Sequence, residues 1–422
     1  MTTSWTTRAG GITLVALVAA AGCSSKTHST APGSAPATST GVSTPPAVSS
    51  AAAPAGTSAA ASSAPAISSP AAPTTTPAAS PSAAPSTVAA VSLTGFKPAS
   101  VTFVSATQGF VGGVQACATG SCATLAATTD GGATWTYVGA LPAPISGANA
   151  AISKVRFATS HDGWAFGPQL WSTHDGGKTW TQQTTPGPVY DVEASGGTAY
   201  LLEASCGTEP CVQGDRLLQT PVSTDGWTAI SGPKLADGGG SLAPHGNTVW
   251  VVANGGATST FDMVVGGSSW HRLVNPCATT GADLALAGVA PVSTSDLFEL
   301  CAGDPGAGSE TKVVLFSSDG GAHATATSAA PARGGIASGI AAASTAVVAV
   351  PAASGASYVY RSGDGGRTWT TPLSQGDGGV GYFDVGFTTA TQGVAVYGNP
   401  AQGSSSLLMT HDAGATWKPV TF

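Results

Sequence analysis

TTDGGATW at 128–135, THDGGKTW at 173–180, SGDGGRTW at 362–369 and THDAGATW at 410–417 are four copies of one phrase: Ser or Thr, any residue, Asp, Gly or Ala, Gly, any residue, Thr, Trp. Asp followed by two small residues is turn chemistry. The carboxylate accepts backbone N–H groups just ahead of it, and Gly takes positive φ without steric cost. Apolar or β-branched residues lead into each turn and follow it, so each copy reads as the tip of a β-hairpin.

Worn copies fill the gaps. SSDGGAHA (317–324) keeps the Asp and both glycines but has Ala324 in the Trp place. STDGWTAI (223–230) has its Trp moved forward to Trp227, and MVVGGSSW (263–270) has Val265 in the Asp place. The anchor positions are therefore 130, 175, 225, 265, 319, 364 and 412, which predicts seven repeats spaced 40 to 54 residues apart. Upstream of three of these turns lies a second phrase, VTFVSATQGFVGG (101–113), VRFATSHDGWAFG (155–167) and VGFTTATQGVAVYG (385–398): a strand ending in Phe, a polar turn, Gly, then another strand. Four strands in such a period is the content of one propeller blade. The expected fold is all-β, a seven-bladed β-propeller of four-stranded antiparallel blades over residues 91–422.

The first phrase resembles the Asp-box (BNR) repeat of sialidases and sortilin-type propellers, and the second is similar to the repeats of the photosystem II assembly and stability factor family. The resemblance is specific for fold and weak for function, because this architecture hosts many activities. The sialidase likeness implies three arginines converging on a substrate carboxylate, a Tyr activated by a Glu, and an Asp acid/base; its Arg-Ile-Pro phrase is absent. The domain has six arginines, of which Arg361 and Arg367 flank an Asp turn at the blade periphery and Arg156 stands alone on a first strand. Five glutamates (Glu193, Glu203, Glu209, Glu299, Glu310) leave few candidates for a carboxylate pair. The assembly-factor likeness implies recognition of another protein through one face of the disc, although that family's arginine-rich recognition face has no counterpart here.

A catalytic residue is needed once, whereas Asp130, Asp175, Asp225, Asp319, Asp364 and Asp412 recur with the repeat. Their expected role is structural: each accepts hydrogen bonds within its turn while Trp135, Trp180, Trp369 and Trp417 pin the hairpin to its blade. One carboxylate per turn is too few for a calcium loop. His161, His174 and His411 lack metal-ligand spacing, and the Gly-rich stretches have no helix behind them to make a phosphate cradle. No cofactor and no catalytic residue is expected. Tyr190, Asp191, Glu193, Tyr382 and Asp384 lie on or beside predicted inner strands and are the candidates for a funnel-facing polar site.

The N-terminus speaks to compartment. Residues 1–22 carry Arg8, an apolar run from Ile12, and Ala20, Ala21 and Gly22 before Cys23, the shape of a cleavable signal too short to remain a transmembrane helix. The segment resembles a bacterial lipobox, in which Cys23 would receive lipid; an ordinary secretory signal is the rival reading. Residues 23–90 are almost wholly Ala, Ser, Thr and Pro, with Lys26 and His28 the only groups able to carry charge beyond Cys23. Such composition predicts a disordered tether, on the order of 45 Å in root-mean-square reach, with O-glycosylation as a further option.

Six cysteines remain for the domain. Hairpin neighbours close most easily, so Cys117 with Cys122, Cys206 with Cys211, and Cys277 with Cys301 are the favoured pairs among fifteen connectivities; metal ligation is the rival. With Arg8 and Lys26 set aside, 12 Lys and Arg face 21 Asp and Glu, a balance unsuited to nucleic acid. These observations predict an exported, lipid-anchored, monomeric propeller at the outer face of the cytoplasmic membrane or cell wall, binding an envelope protein. A carbohydrate-active propeller, either a sialidase-type hydrolase or a wall-glycan lectin, is the alternative. Ring closure is expected through pairing of Val88–Leu93 with the last blade near Trp417–Phe422.

Overall fold

The computed structural model describes residues 91–422 apart from 119, 148–149, 208–213, 255–258, 281–282 and 304. The expectations for the leader, Cys23, the tether and Cys211 fall outside the described residues. Seven four-stranded antiparallel sheets follow one another along the chain. The first blade holds β1 (Lys97–Phe103), β2 (Gly109–Cys117), β3 (Gly120–Thr128) and β4 (Thr136–Ala140), and the second β5 (Lys154–Phe157), β6 (Gly163–Phe166), β7 (Leu170–Thr173) and β8 (Thr181–Gln183). The third runs β9 (Val189–Ser195), β10 (Thr198–Ala204), β11 (Asp215–Pro221) and β12 (Thr228–Ala229). The fourth holds β13 (Gly240–His245), β14 (Thr248–Ala253), β15 (Thr260–Val265) and β16 (Ser269–Leu273). In the fifth are β17 (Leu284–Pro291), β18 (Leu297–Gly303), β19 (Lys312–Ser317) and β20 (Thr325–Ala326).

The sixth blade is irregular: β21 (Ile336–Ala337) and β22 (Ala341–Ala342) both pair with the first half of the long β23 (Val348–Ser362), and β24 (Thr370–Gly378) pairs with its second half. The seventh is β25 (Tyr382–Phe387), β26 (Gly393–Asn399), β27 (Ser404–Thr410) and β28 (Lys418–Pro419). This is the seven-bladed propeller that the repeat count predicts.

The core lies between blades rather than within one. A strand's side chains alternate between its two faces, so a middle strand packed on both sides reads as a continuous apolar run. Along β14, Val249 and Val251 pack toward the third blade, while Trp250 and Val252 pack toward the fifth. One apolar cluster fills each of the seven seams, and the last joins Val101 and Val111 of the first blade to Val394, Leu407 and Met409 of the seventh.

That last seam corrects the expected closure. Val91–Leu93 lie outside any strand, and β28 pairs with β27 as the outer strand of a sheet whose four strands all come from the last repeat. Among the described residues no N-terminal strand pairs with the last blade, and residues 88–90 of the expected segment fall outside them. Side chains close the ring instead: Phe96 and Phe422 have ring centroids 4.8 Å apart, Phe422 lies 5.4 Å from Trp135, and Leu93 and Val420 join the same cluster.

The two sequence phrases prove to be halves of one packing unit. Phe103 lies edge-on to Trp135 and Phe157 edge-on to Trp180. The same Phe ring covers the Gly six residues later: a Cβ on Gly109, Gly163 or Gly393 would stand 2.5–2.8 Å from Phe103, Phe157 or Phe387. The backbone N–H after the turn Asp, at Gly131, Gly176 and Ala413, donates to a carbonyl of the turn that follows the Phe. Only a residue without a side chain admits the ring, which explains why Phe and Gly recur together.

The predicted disulfides Cys117–Cys122 and Cys277–Cys301 are present, and Cys206 is disulfide-bonded. Among the described residues no helix is long and apolar enough to cross a membrane.

Candidate functional site

The recurring aspartates divide into two groups. In the first blade the Thr128 hydroxyl donates to Asp130 Oδ1 (2.8 Å) and accepts the Gly132 N–H (2.9 Å), while Thr134 donates its N–H to Oδ1 (2.9 Å) and its hydroxyl to Oδ2 (2.5 Å). Asp175, Asp364 and Asp412 repeat this pattern. At Asp319 the imidazole of His323 takes the place of the Thr hydroxyl, 2.7 Å from Oδ2. These hydrogen bonds, led by those from Thr134, hold Asp130 down at about 2, and Asp364 sits at about 2 for the same reason.

Asp225 departs from the expected in-turn role. With Trp227 moved forward, its carboxylate turns to the neighbouring blade, where Oδ2 accepts from the Ser172 hydroxyl (2.8 Å) and Gln183 Nε2 (3.0 Å). His174 stands between Asp162 (2.8 Å) and Asp225 (3.4 Å), tying the second blade to the third; burial opposes its charge, but the two carboxylates raise its pKa.

Of the funnel candidates, the structure brings together Glu193 and Asp384, and what joins them is Arg156. The guanidinium donates Nε–H to Glu193 Oε1 (2.7 Å), one terminal nitrogen to Asp384 Oδ1 (3.0 Å) and the other to Asp384 Oδ2 (3.3 Å) and the Val155 carbonyl (3.0 Å). Asp384 Oδ2 also accepts from the Ser100 hydroxyl (2.6 Å) and the Val101 N–H (3.0 Å). Asp191 lies one step further round, 3.6 Å from Lys154 Nζ, and accepts the Leu242 N–H (2.9 Å). The network thus runs across β25, β1, β5, β9 and β13, the first strands of five successive blades, and crosses the closure seam.

Local backbone aims these groups. Asp384 has φ 46°, a left-handed conformation rare for a residue other than Gly, where the β25–β26 register shifts between Phe383 and Gly386. Such a bulge turns a side chain out of strand alternation. Burial pushes the Asp384 carboxyl up, but the charge and hydrogen bonds of Arg156, together with Lys154 and the Ser100 hydroxyl, outweigh it and bring the group to about 2. Burial also raises Glu193, only partly offset by Arg156. Burial works against the Arg156 charge as well, and its two carboxylate partners reverse that effect.

A cleft of about 290 Å³ opens over the network, walled by Val101, Phe103, Val385 and Phe387, with Arg156, Glu193 and Asp384 on its lining. Tyr190 and Tyr382 are not part of it. Tyr190 packs against the seam between the third and fourth blades, and Tyr382 is buried 5.1 Å from Tyr397. The reading of Arg156 as an isolated strand residue is corrected, since it is the hub. An arginine facing inward from a first strand, VRF, where its blade offers no carboxylate partner, was the available signal that charge must arrive from other blades.

The fold and this inner network define a seven-bladed β-propeller with a polar cleft on its inner strands. No protein-family model and no curated protein matches the sequence. Among solved structures, YCF48 bound to D1 peptide aligns with TM-score 0.51 and 19% identity, over 75% of this chain and 93% of that one. YCF48 from Cyanidioschyzon merolae aligns with TM-score 0.51 and 16% identity, over 75% and 95%. At these identities the likeness shows the fold. The GH74 enzyme from Niastella koreensis, at TM-score 0.29, 14% identity, 75% and 61% coverage, bears no argument.

Proposed function

We propose that this chain is an exported, non-catalytic binding module that holds a polypeptide partner at the cell envelope through the cleft over Arg156, Glu193 and Asp384. The observation that carries this reading is the use of one guanidinium by both cleft carboxylates. Asp384 has both oxygens occupied by donors, which suits a fixed recognition surface better than a proton-transfer pair. The peptide-bound state of YCF48 supports a propeller of this kind acting on a peptide. In this reading Cys23 is the lipid anchor, residues 23–90 are the tether, and the disulfides fit an oxidising compartment.

The test is site-specific photo-crosslinking in intact cells from Thr388, which lines the cleft. The expected result is one envelope polypeptide joined to the cleft and absent when the crosslinker sits on the exposed Tyr137 of the first blade. Equal products from both positions, or glycan turnover by the purified protein that Asp384→Asn abolishes, would overturn it.

A further inference from the structure

The cleft has a chemical preference that follows from its charge and its walls. Arg156 and Lys154 bring two positive charges; Glu193, Asp384 and Asp191 bring three negative ones. Asp384 and Asp191 are buried and engaged, whereas the Glu193 side chain keeps 25% of its exposure and uses only Oε1 toward Arg156. Its second oxygen, Oε2, has no partner among the described residues and belongs to a group on the cleft lining. Val101, Phe103, Val385 and Phe387 line the same cleft. An acceptor on the lining of a cleft that also presents these side chains is suited to a long side chain with an aliphatic stem and a cationic head. The volume, about 290 Å³, is at the small end for ligand pockets and suits one side chain rather than an oligosaccharide.

Resting on the proposed polypeptide-binding role, we infer that the cleft selects a lysine or arginine side chain of the partner, with Glu193 as the acceptor. A carboxylate ligand is disfavoured, because Arg156 already serves two carboxylates and a further acid would enlarge the local negative excess. The acidic balance of the domain draws the same class of partner at longer range.

The experiment uses the whole protein and labelled Gly/Ser peptides that differ at one central residue: Lys, Arg, Gln or Glu. Fluorescence anisotropy is expected to show the Lys and Arg peptides binding at least about tenfold tighter than the Gln peptide, with added NaCl weakening the preference. Glu193→Gln keeps a carbonyl for Arg156 Nε–H and is expected to bring the Lys and Arg peptides down to the affinity of the Gln peptide. Equal affinity for all four peptides, preference for Glu, or an unaltered preference in Glu193→Gln overturns the assignment. Binding without charge preference leaves the polypeptide-binding role standing, whereas no binding by any peptide together with a failed crosslink removes both. If Glu193→Gln does not fold, the wild-type ranking and its salt dependence still decide.

Discussion

Asp130 and Asp384 are both held ionised, at about 2, by opposite means. Asp130 is exposed at a blade tip, and hydrogen bonds from within its own eight-residue phrase suffice. Asp384 is nearly buried, and its charge survives because Arg156, Lys154 and Ser100, all from other blades, together outweigh the loss of solvent. The outer arrangement recurs because it is local; the inner one occurs once because it needs several blades at fixed positions. Repetition therefore marks what builds the blade, and singularity marks what the assembled ring adds.

Removing the inner partner breaks this contrast most directly. Arg156→Met strands two carboxylates and is expected to cost about 3–5 kcal/mol in urea unfolding, with much of the loss recovered when Glu193→Gln and Asp384→Asn are added. Asp130→Asn should cost far less, because an exposed turn stays solvated. Equal losses at the two sites would erase the distinction. Acid acts on both in the same direction: each folded pKa lies below the usual 3.8, so their stabilisation is full above that value and is lost as pH falls toward about 2.

Glu299 supplies the case with neither device. It is buried on β18, neither oxygen has a hydrogen-bond partner among the described residues, and burial, with Asp319 nearby, pushes it up to about 8. Its folded form stays protonated while the unfolded chain ionises, so the penalty grows as pH rises from about 4.5 and levels off above about 8. Glu299→Met is expected to gain about 2–3 kcal/mol at pH 7 and much less at pH 5, read from denaturation curves at both values. An equal gain at both pH values would show that packing, not ionisation, sets the effect.

The closure seam tests whether side chains alone can do what strand pairing was expected to do. Deleting Val420–Phe422 removes two members of the seam cluster and should cost about 2 kcal/mol, visible as a lower Tm. An unchanged Tm would mean that the remaining apolar contacts close the ring unaided. The smallest effect belongs to the His174 bridge. With a raised folded pKa, its contribution is full below about 6.5 and fades as pH climbs through the folded value. Partial exposure limits it to about 0.5 kcal/mol or less. His174→Asn should flatten that part of the stability–pH curve, and an unaltered slope would dismiss the bridge.

The repeat count, the strand order of every blade but the irregular sixth, and the Asp turn are legible, because each is made by residues close in sequence. Worn copies were readable too, although Asp225 misled: its phrase survives while Trp227 has moved, and its carboxylate bonds to Ser172 and Gln183 instead. Of the inner site, Glu193 and Asp384 are legible from their place on first strands, whereas the sequence neither marks Arg156 as their partner nor sets Tyr382 apart from them. Nothing in the local pattern separates an inward carboxylate that meets a guanidinium 228 residues away from a tyrosine that packs into the seam between the sixth and seventh blades.

By itself, then, the sequence determined the blade: hydrogen bonds reaching two to four residues and a Phe ring over a Gly need no distant partner. The closed ring decided the rest. Only there do Phe96 and Phe422 meet, and only there do β25, β1, β5 and β9 stand close enough for Arg156 to hold Asp384 and Glu193 together. Charge pairs of that kind depend on distances that exist after the seven seams have packed, and no local reading of the chain contains them.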